Sequence, residues 1–255
     1  MSVIDFNNNK FQFKKKHKFS PAVSFLIDLF FPKHCLVCGK EKTFLCQDCF
    51  SLIEINSFRY CLCQKPQRAA IQGKCPSCRN RALTGLYFAC IFGQKALKKA
   101  VHSFKYPPYL KDLAWPLAYL IILHFEILGR KIDPSSVLIP VPLFLSKEKE
   151  RGFNQSKEIA DILAKAWQIK IISGCLTKIK KTANQAEMGK EQRSKNLEGA
   201  FRFTDKMKKK IKGKKIYLID DVYTTGATME ECAKILKQSG AREVWGIAVA
   251  REIMI

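Results

Sequence analysis

Long apolar runs are missing from this chain of 255 residues. The most apolar stretch, Leu113 to Leu128, is sixteen residues long and is interrupted by Pro116, His124 and Glu126. That is short of the roughly 20 apolar residues a membrane-spanning helix needs, so a buried helix is expected there and no transmembrane segment. Near the amino end, the basic KKKHKF leads into the apolar SPAVSFLIDLFFP, as in a secretory signal. Asp28 breaks the apolar part, however, and no small-residue cleavage site follows. An amphipathic helix ending at Pro32 and a cytoplasmic protein are the expectation. Acidic residues are also scarce: 22 Asp and Glu stand against 45 Lys and Arg, for a net charge of +23. Such an excess favours polyanionic partners, whether nucleic acid, anionic lipid or phosphorylated small molecules. Hydrophobic content of 47% and charged content of 26% fit an ordinary folded protein, long enough for one substantial domain and a small one.

Cysteine, by contrast, is concentrated. Eight of eleven fall between positions 35 and 78 as four pairs: Cys35/Cys38, Cys46/Cys49, Cys61/Cys63 and Cys75/Cys78. Three pairs are Cys-x-x-Cys, the spacing that lets two thiolates on a tight knuckle reach one tetrahedral Zn²⁺ at ~2.3 Å. Gly39, after Cys38, suits a knuckle that needs a positive φ. A disulfide framework would require an oxidising compartment, and nothing signals export. The third pair departs from the pattern, with only Leu62 between its thiols and Gln64 where a glycine is expected. It forms either a knuckle of altered geometry or a degenerate site. Neighbouring pairs share an ion, or the pairs interleave; spacing leaves both open, and with them one zinc or two. A segment so short is expected to bury little apolar surface, leaving the metal to supply most of its folding free energy. Cys90, Cys175 and Cys232 stand in apolar settings and read as core residues.

From about residue 85 the texture changes. Runs at 86–92, 136–141, 214–219 and 243–250 read as strands, and helical patterns at 95–104, 110–128, 156–167 and 229–239 lie between them. The alternation predicts an α/β fold with a mostly parallel sheet and helices on its faces. In such folds ligands sit at the carboxyl ends of the strands, which is where Asp220 and Asp221 stand. The segment that follows, Thr224-Thr225-Gly226-Ala227-Thr228, leads from a buried strand into a helix. Its backbone N–H groups and hydroxyls form an anion cup suited to one phosphate. The two carboxylates can accept hydrogen bonds from sugar hydroxyls or hold Mg²⁺. Phosphate on one side and a diol on the other describe a ribose 5-phosphate.

The string LIDDVYTTGAT at 218–228 resembles the phosphoribosyl-pyrophosphate fingerprint of type I phosphoribosyltransferases. IPVPL at 139–143, RGFNQ at 151–155, NQAEMGKEQRSKNLEGAF at 184–201 and FKY at 104–106 are similar to its ComF-like competence branch, which places a double zinc ribbon before the transferase-like domain. The resemblance covers about residues 20 to 251. It implies a basic tail over 1–19, a helix and cysteine-rich ribbon over 20–84, and a phosphoribosyltransferase-like domain over 85–255. It further implies that Asp220 and Asp221 bind the ribose hydroxyls with Mg²⁺, and that Thr224, Thr225, Gly226, Ala227 and Thr228 bind the 5′-phosphate. Lys147, Lys149 and Arg151 would lie near the pyrophosphate. Segment 178–201 would correspond to the mobile catalytic loop, with Lys180, Lys181 and Arg193 as anion contacts. Phosphoribosyl transfer passes through an oxocarbenium-like ribose, so the acids read as binding groups rather than a proton-transfer pair, and no catalytic residue is assigned. Tyr223 reads as loop packing and His102 as a surface histidine.

Seven lysines lie among the ten residues 206–215, and the amino-terminal tail interleaves lysines with Phe6, Phe11, Phe13 and Phe19. Each run alone suits a solvated segment. With a zinc ribbon and the overall charge, they also suit single-stranded nucleic acid, held by phosphate attraction and aromatic stacking. The resemblance implies natural transformation: DNA uptake on the cytoplasmic side of the membrane, with single-stranded DNA and a helicase-like competence partner. Three activities remain open: a DNA-handling protein that retains a phosphoribosyl-pyrophosphate site, an active transferase acting on a base, a nucleotide or DNA, and a non-catalytic sensor. No segment identifies an acceptor pocket.

Overall fold

Strands that carry apolar side chains on both faces need cover on both, and this requirement organises the molecule. The computed structural model describes residues 32–68, 73–180 and 197–253; the expected tail and amino-terminal helix, as well as Lys181 and Arg193, lie outside them. The strands are β1 (Gly85–Ile91), β2 (Val137–Pro140), β3 (Lys170–Ile171), β4 (Leu176–Lys178), β5 (Phe201–Phe203), β6 (Lys215–Tyr223) and β7 (Glu243–Arg251). Among the described residues, five form one parallel sheet in the order β1-β7-β6-β2-β3, and β4 and β5 form an antiparallel pair. Successive side chains of a strand face opposite ways, and the burial follows suit. Tyr217 and Ile219 of β6 enter one apolar core, whereas Ile216 and Leu218 enter another on the far face. The expected α/β architecture is the observed one.

The helices are α1 (Gln47–Ser51), α2 (Lys95–Lys105), α3 (Ala114–Ile127), α4 (Leu145–Arg151), α5 (Gln155–Trp167), α6 (Lys208–Ile211) and α7 (Ala227–Gln238). The first core takes its helical side from α2, α3 and α5, through Leu97, Phe104, Leu117, Ile121, Ile159 and Leu163. The apolar stretch from 113 is thus a buried helix, and among the described residues no helix is long and apolar enough to cross a membrane. The second core is covered by α7 and by the β4–β5 pair, through Met229, Cys232, Leu236, Leu176 and Phe201. Cys90, Cys175 and Cys232 are fully buried, as core residues should be.

The cysteine-bearing segment is not the coreless module its length suggests. Leu45, Phe50 and Ile53 join the first core, and Leu62 joins the second. Asn56 N–H donates to the Ala89 carbonyl at 2.7 Å, so this segment also covers the open edge at β1. Inside α3, His124 Nδ1 donates to the Asn56 carbonyl at 2.7 Å, and burial pulls its pKa down to about 4.

Candidate functional site

The two acids end a buried run, but β6 does not stop before them: it continues through both to Tyr223. Because the pleat turns consecutive side chains to opposite sides, Asp220 and Asp221 find different partners. Asp221 is almost fully buried and pairs with Lys105 Nζ, brought in by the last turn of α2, at 2.9 Å. Asp220 Oδ1 accepts from Ser156 Oγ of α5 at 2.9 Å and from the Asp221 N–H at 2.9 Å. Burial first, and then the Asp221 charge, push the Asp220 carboxyl up to about 7, against the opposing pull of Lys105 and Ser156. Burial works against the Lys105 ammonium as well, yet Asp221 and Asp220 beside it hold its pKa above the ordinary value.

The segment at 151–155 divides its labour residue by residue. Asn154 caps α5, its side-chain oxygen accepting from the Lys157 N–H while its amide donates to the Val141 carbonyl at 3.1 Å. Phe153 enters the core. Arg151, half-buried at the end of α4, lies over the Tyr109 ring at 5.9 Å, and its Nε and Nη1 have no hydrogen-bond partner among the described residues. Burial depresses the Arg151 pKa, with Asp221 the leading opposing influence. Asp221 Oδ2 is likewise buried without a partner among the described residues. Buried polar atoms are rarely left so, and here a carboxylate oxygen and two guanidinium N–H groups lie at one site. A ligand with hydroxyls or a cation on one side and an anion on the other would satisfy both.

Lys147 lies one helical turn before Arg151 on the same half-buried face of α4, whereas Lys149 is two residues out of step and exposed. Lys178, at the end of β4, is held beside α4 by a bridge pairing it with Phe144. Burial and then the nearby Lys147 lower its pKa. Lys180 Nζ donates to the Glu198 carbonyl at 3.0 Å.

The Thr-Gly loop completes the site. Gly226 has φ +78° and caps α7, a left-handed conformation that glycine adopts without strain. Ala227 N–H points back to Thr225 Oγ1 at 3.4 Å. Ala227 and Thr228 belong to the first turn of α7, so the last two residues of the expected loop are helical N–H donors at its positive end. Tyr223 does pack the loop: a Cβ on Gly226 would fall 2.1 Å from the tyrosine oxygen. That hydroxyl also donates to the Leu62 carbonyl at 3.4 Å and accepts from Arg81 at 3.1 Å. Arg251, fully buried at the end of β7, donates from Nη1 to the Cys61 carbonyl at 2.7 Å and from Nη2 to that of Cys63.

The cysteines gather as neighbours. Cys35, Cys38, Cys46 and Cys49 form one tetrad and Cys61, Cys63, Cys75 and Cys78 another, each with its sulfurs within 4.8 Å of one another. The Cys38–Cys46 and Cys63–Cys75 separations of 3.6 and 3.4 Å are near the ~3.8 Å edge of a tetrahedron with ~2.3 Å metal–sulfur bonds. No cysteine is in a disulfide, and each tetrad can hold a zinc ion. Gly39 has φ +79°, as its knuckle requires. The shortened Cys61–Cys63 pair still closes, with the Gln67 N–H donating to Cys61 Sγ at 3.3 Å.

Reading the sequence singled out the acids, the loop and the cysteines but gave no role to Lys105, Ser156, Lys178 or Arg251. A lysine between two aromatic residues and an arginine ending an otherwise apolar run, Val244–Ala250, were the visible signals for the first and last. Ser156 and Lys178 carried none.

Residues 149–252 match the phosphoribosyl transferase domain family, from the end of α4 through the acids, the loop and β7. The chain is 28% identical over 239 residues to Competence protein F of Haemophilus influenzae, covering 87% of this chain and 99% of that protein. It is 29% identical over 155 residues to the DNA utilization protein YhgH of Escherichia coli, covering 58% of this chain and 65% of the relative. To Competence protein ComFC of Bacillus subtilis it is 33% identical over 108 residues, covering 42% of this chain and 41% of the relative. With the cysteine tetrads ahead of the transferase domain and the match running nearly the whole length of the Haemophilus protein, the chain carries a phosphoribosyl transferase domain and is similar to the ComF-like competence proteins.

Proposed function

We propose that the protein binds phosphoribosyl pyrophosphate together with Mg²⁺ at the β6–α7 junction and handles single-stranded DNA in the cytoplasm during DNA uptake. The observation that carries the ligand assignment is the pair of unsatisfied buried groups, Asp221 Oδ2 and the Arg151 guanidinium, on either side of the site. The carboxylates of Asp220 and Asp221 take the ribose hydroxyls or their Mg²⁺. Thr224, Thr225, Gly226, Ala227 and Thr228 take the 5′-phosphate at the positive end of α7. Arg151, with Lys147 and Lys149 on the same short helix and Arg193 beyond it, takes the pyrophosphate; a guanidinium offers it a two-pronged contact that a lysine cannot. The tetrads hold two zinc ions in a ribbon over 20–84 that stabilises a transferase-like domain over 85–255, with the basic tail before them. DNA as a partner is supported by the names of the relatives, a competence protein and a DNA utilization protein, and a helicase-like competence partner is what the family resemblance implies.

Calorimetric titration of phosphoribosyl pyrophosphate with and without Mg²⁺ tests this. The wild type should bind only with Mg²⁺, and Asp221→Asn and Arg151→Met should each weaken binding at least tenfold. Equal binding by all three would overturn the assignment. Release of pyrophosphate on adding a base, a nucleotide or DNA would identify a transferase; tight binding with no release would identify a sensor.

A further inference from the structure

The exposed side of α2 is basic and ends at an aromatic pair. Its inner side chains, Ala96, Leu97, Ala100, Val101 and Phe104, fill the core, while Lys95, Lys98 and His102 are exposed on the other side. A cavity of about 490 Å³ opens between this side of the helix and the first cysteine knuckle, lined by Leu36, Lys95, Lys98, Lys99, His102 and Ser103. Lys99 Nζ donates to the Leu36 carbonyl at 2.7 Å and so fixes the knuckle against the helix. Directly beyond it, the His102 and Tyr106 rings meet with centroids 4.9 Å apart, and Tyr106 is 47% exposed. A large aromatic left half in solvent beside a row of ammonium groups has no structural task in the core.

We propose that this groove is a binding site for single-stranded DNA, with Lys95, Lys98 and Lys99 taking the phosphates and the His102–Tyr106 pair taking an unstacked base. The inference rests on the reading that the protein handles single-stranded DNA and assigns that property to a place. The lysines attract any phosphate backbone, and the ring pair is what favours an unpaired strand over other polyanions. Backbone phosphates are held by ammonium groups without regard to sequence. An exposed ring face stacks on a base only where the base is free of its partner. Among the described residues, the lysine run at 206–214 is another basic surface, but it precedes β6 and so lies at the opposite end of the sheet from the acids, with no aromatic residue in it. The groove is close to the phosphoribosyl site instead: Tyr106 follows Lys105, whose ammonium reaches Asp221. A strand lying along α2 would therefore have one end near that site.

Fluorescence anisotropy of a labelled oligothymidylate, read across a salt series, tests the placement. Lys95→Glu/Lys98→Glu should weaken binding more than tenfold and flatten the slope of log affinity against log salt by about 1.4, at ~0.7 per lost phosphate contact on a single strand. His102→Ala/Tyr106→Ala should weaken binding about tenfold with the slope unchanged, because stacking is not ionic. Lys208→Glu/Lys209→Glu makes the same change of charge at the far end and should leave affinity within about twofold. Equal losses in the two charge-reversed variants would overturn the groove as the site, as would unchanged binding in both groove variants. If the wild type fails to bind the oligonucleotide at all, the DNA-handling reading itself falls. Binding of phosphoribosyl pyrophosphate by Lys95→Glu/Lys98→Glu, unchanged from wild type, confirms that the variant is folded.

Discussion

The two cysteine tetrads share a ligand chemistry but occupy opposite faces of the sheet. Cys35, Cys46 and Cys49 of the first pack into the core beneath α2 and α3. Cys61 and Cys78 of the second pack into the core beneath α7, and the carbonyls of their knuckle are gripped by Arg251 and Tyr223. Tyr223 in turn lies against Gly226, the residue that turns the loop into α7. The first tetrad thus braces a surface groove, and the second braces the Thr-Gly loop that leads into α7. The same Cys₄ chemistry does different mechanical work because different strand ends lie beneath it.

Emptying the tetrads one at a time is the strongest way to break this comparison. Structural zinc contributes on the order of 10 kcal/mol to folding its own segment, so either loss is expected to be large. Cys78→Ser should lower zinc content from two ions per chain to one and abolish binding of phosphoribosyl pyrophosphate. Cys35→Ser should lower zinc equally yet keep most of that binding, as measured by elemental analysis beside calorimetry. Equal ligand loss from both would merge the two roles.

Gly226→Ala comes next. The added Cβ would collide with Tyr223 and force a left-handed conformation on alanine, displacing the loop by an ångström or so. A displacement of that size reduces binding or activity by about a hundredfold in other sites, and the same is expected here. Zinc content should not change, which separates loop from tetrad.

A smaller effect comes from pH. Asp220 has its pKa raised from 3.8 to about 7, so between those values the folded protein holds a proton that the unfolded chain has released. The contribution of this group to stability therefore falls as pH rises through that window and is constant above it. Asp220→Asn, which resembles the protonated acid, should be more stable than wild type at pH 8, with the difference vanishing towards pH 4. Urea unfolding at a series of pH values reads it, and a difference independent of pH would contradict the burial argument.

The smallest change is Tyr223→Phe, which keeps the ring on Gly226 and removes the hydroxyl that bonds Leu62 and Arg81. A loss of about 1 kcal/mol in stability is expected, with loop binding weakened a few-fold. If ligand affinity does not move, the second tetrad braces the loop through Arg251 alone.

Much of this was legible in the residues because local chemistry determined it. Alternating apolar runs and helical periods specified the α/β class, cysteine spacing pointed to groups of four thiols able to hold a metal, and the acids beside Thr-Thr-Gly-Ala-Thr marked the strand–helix junction as the candidate site. What spacing could not specify was pairing across long separations. Lys105 is 116 positions from Asp221, Arg81 is 142 from Tyr223 and Arg251 is 190 from Cys61. Each of those contacts exists only because the sheet order brings chain ends together, and no local pattern encodes that order. The pairing of cysteines as neighbours, the burial that lifts Asp220, and the lysine groove along α2 belong to the same class. They follow from which surfaces the packed strands leave buried and which they leave open, and that is decided only when the chain has folded.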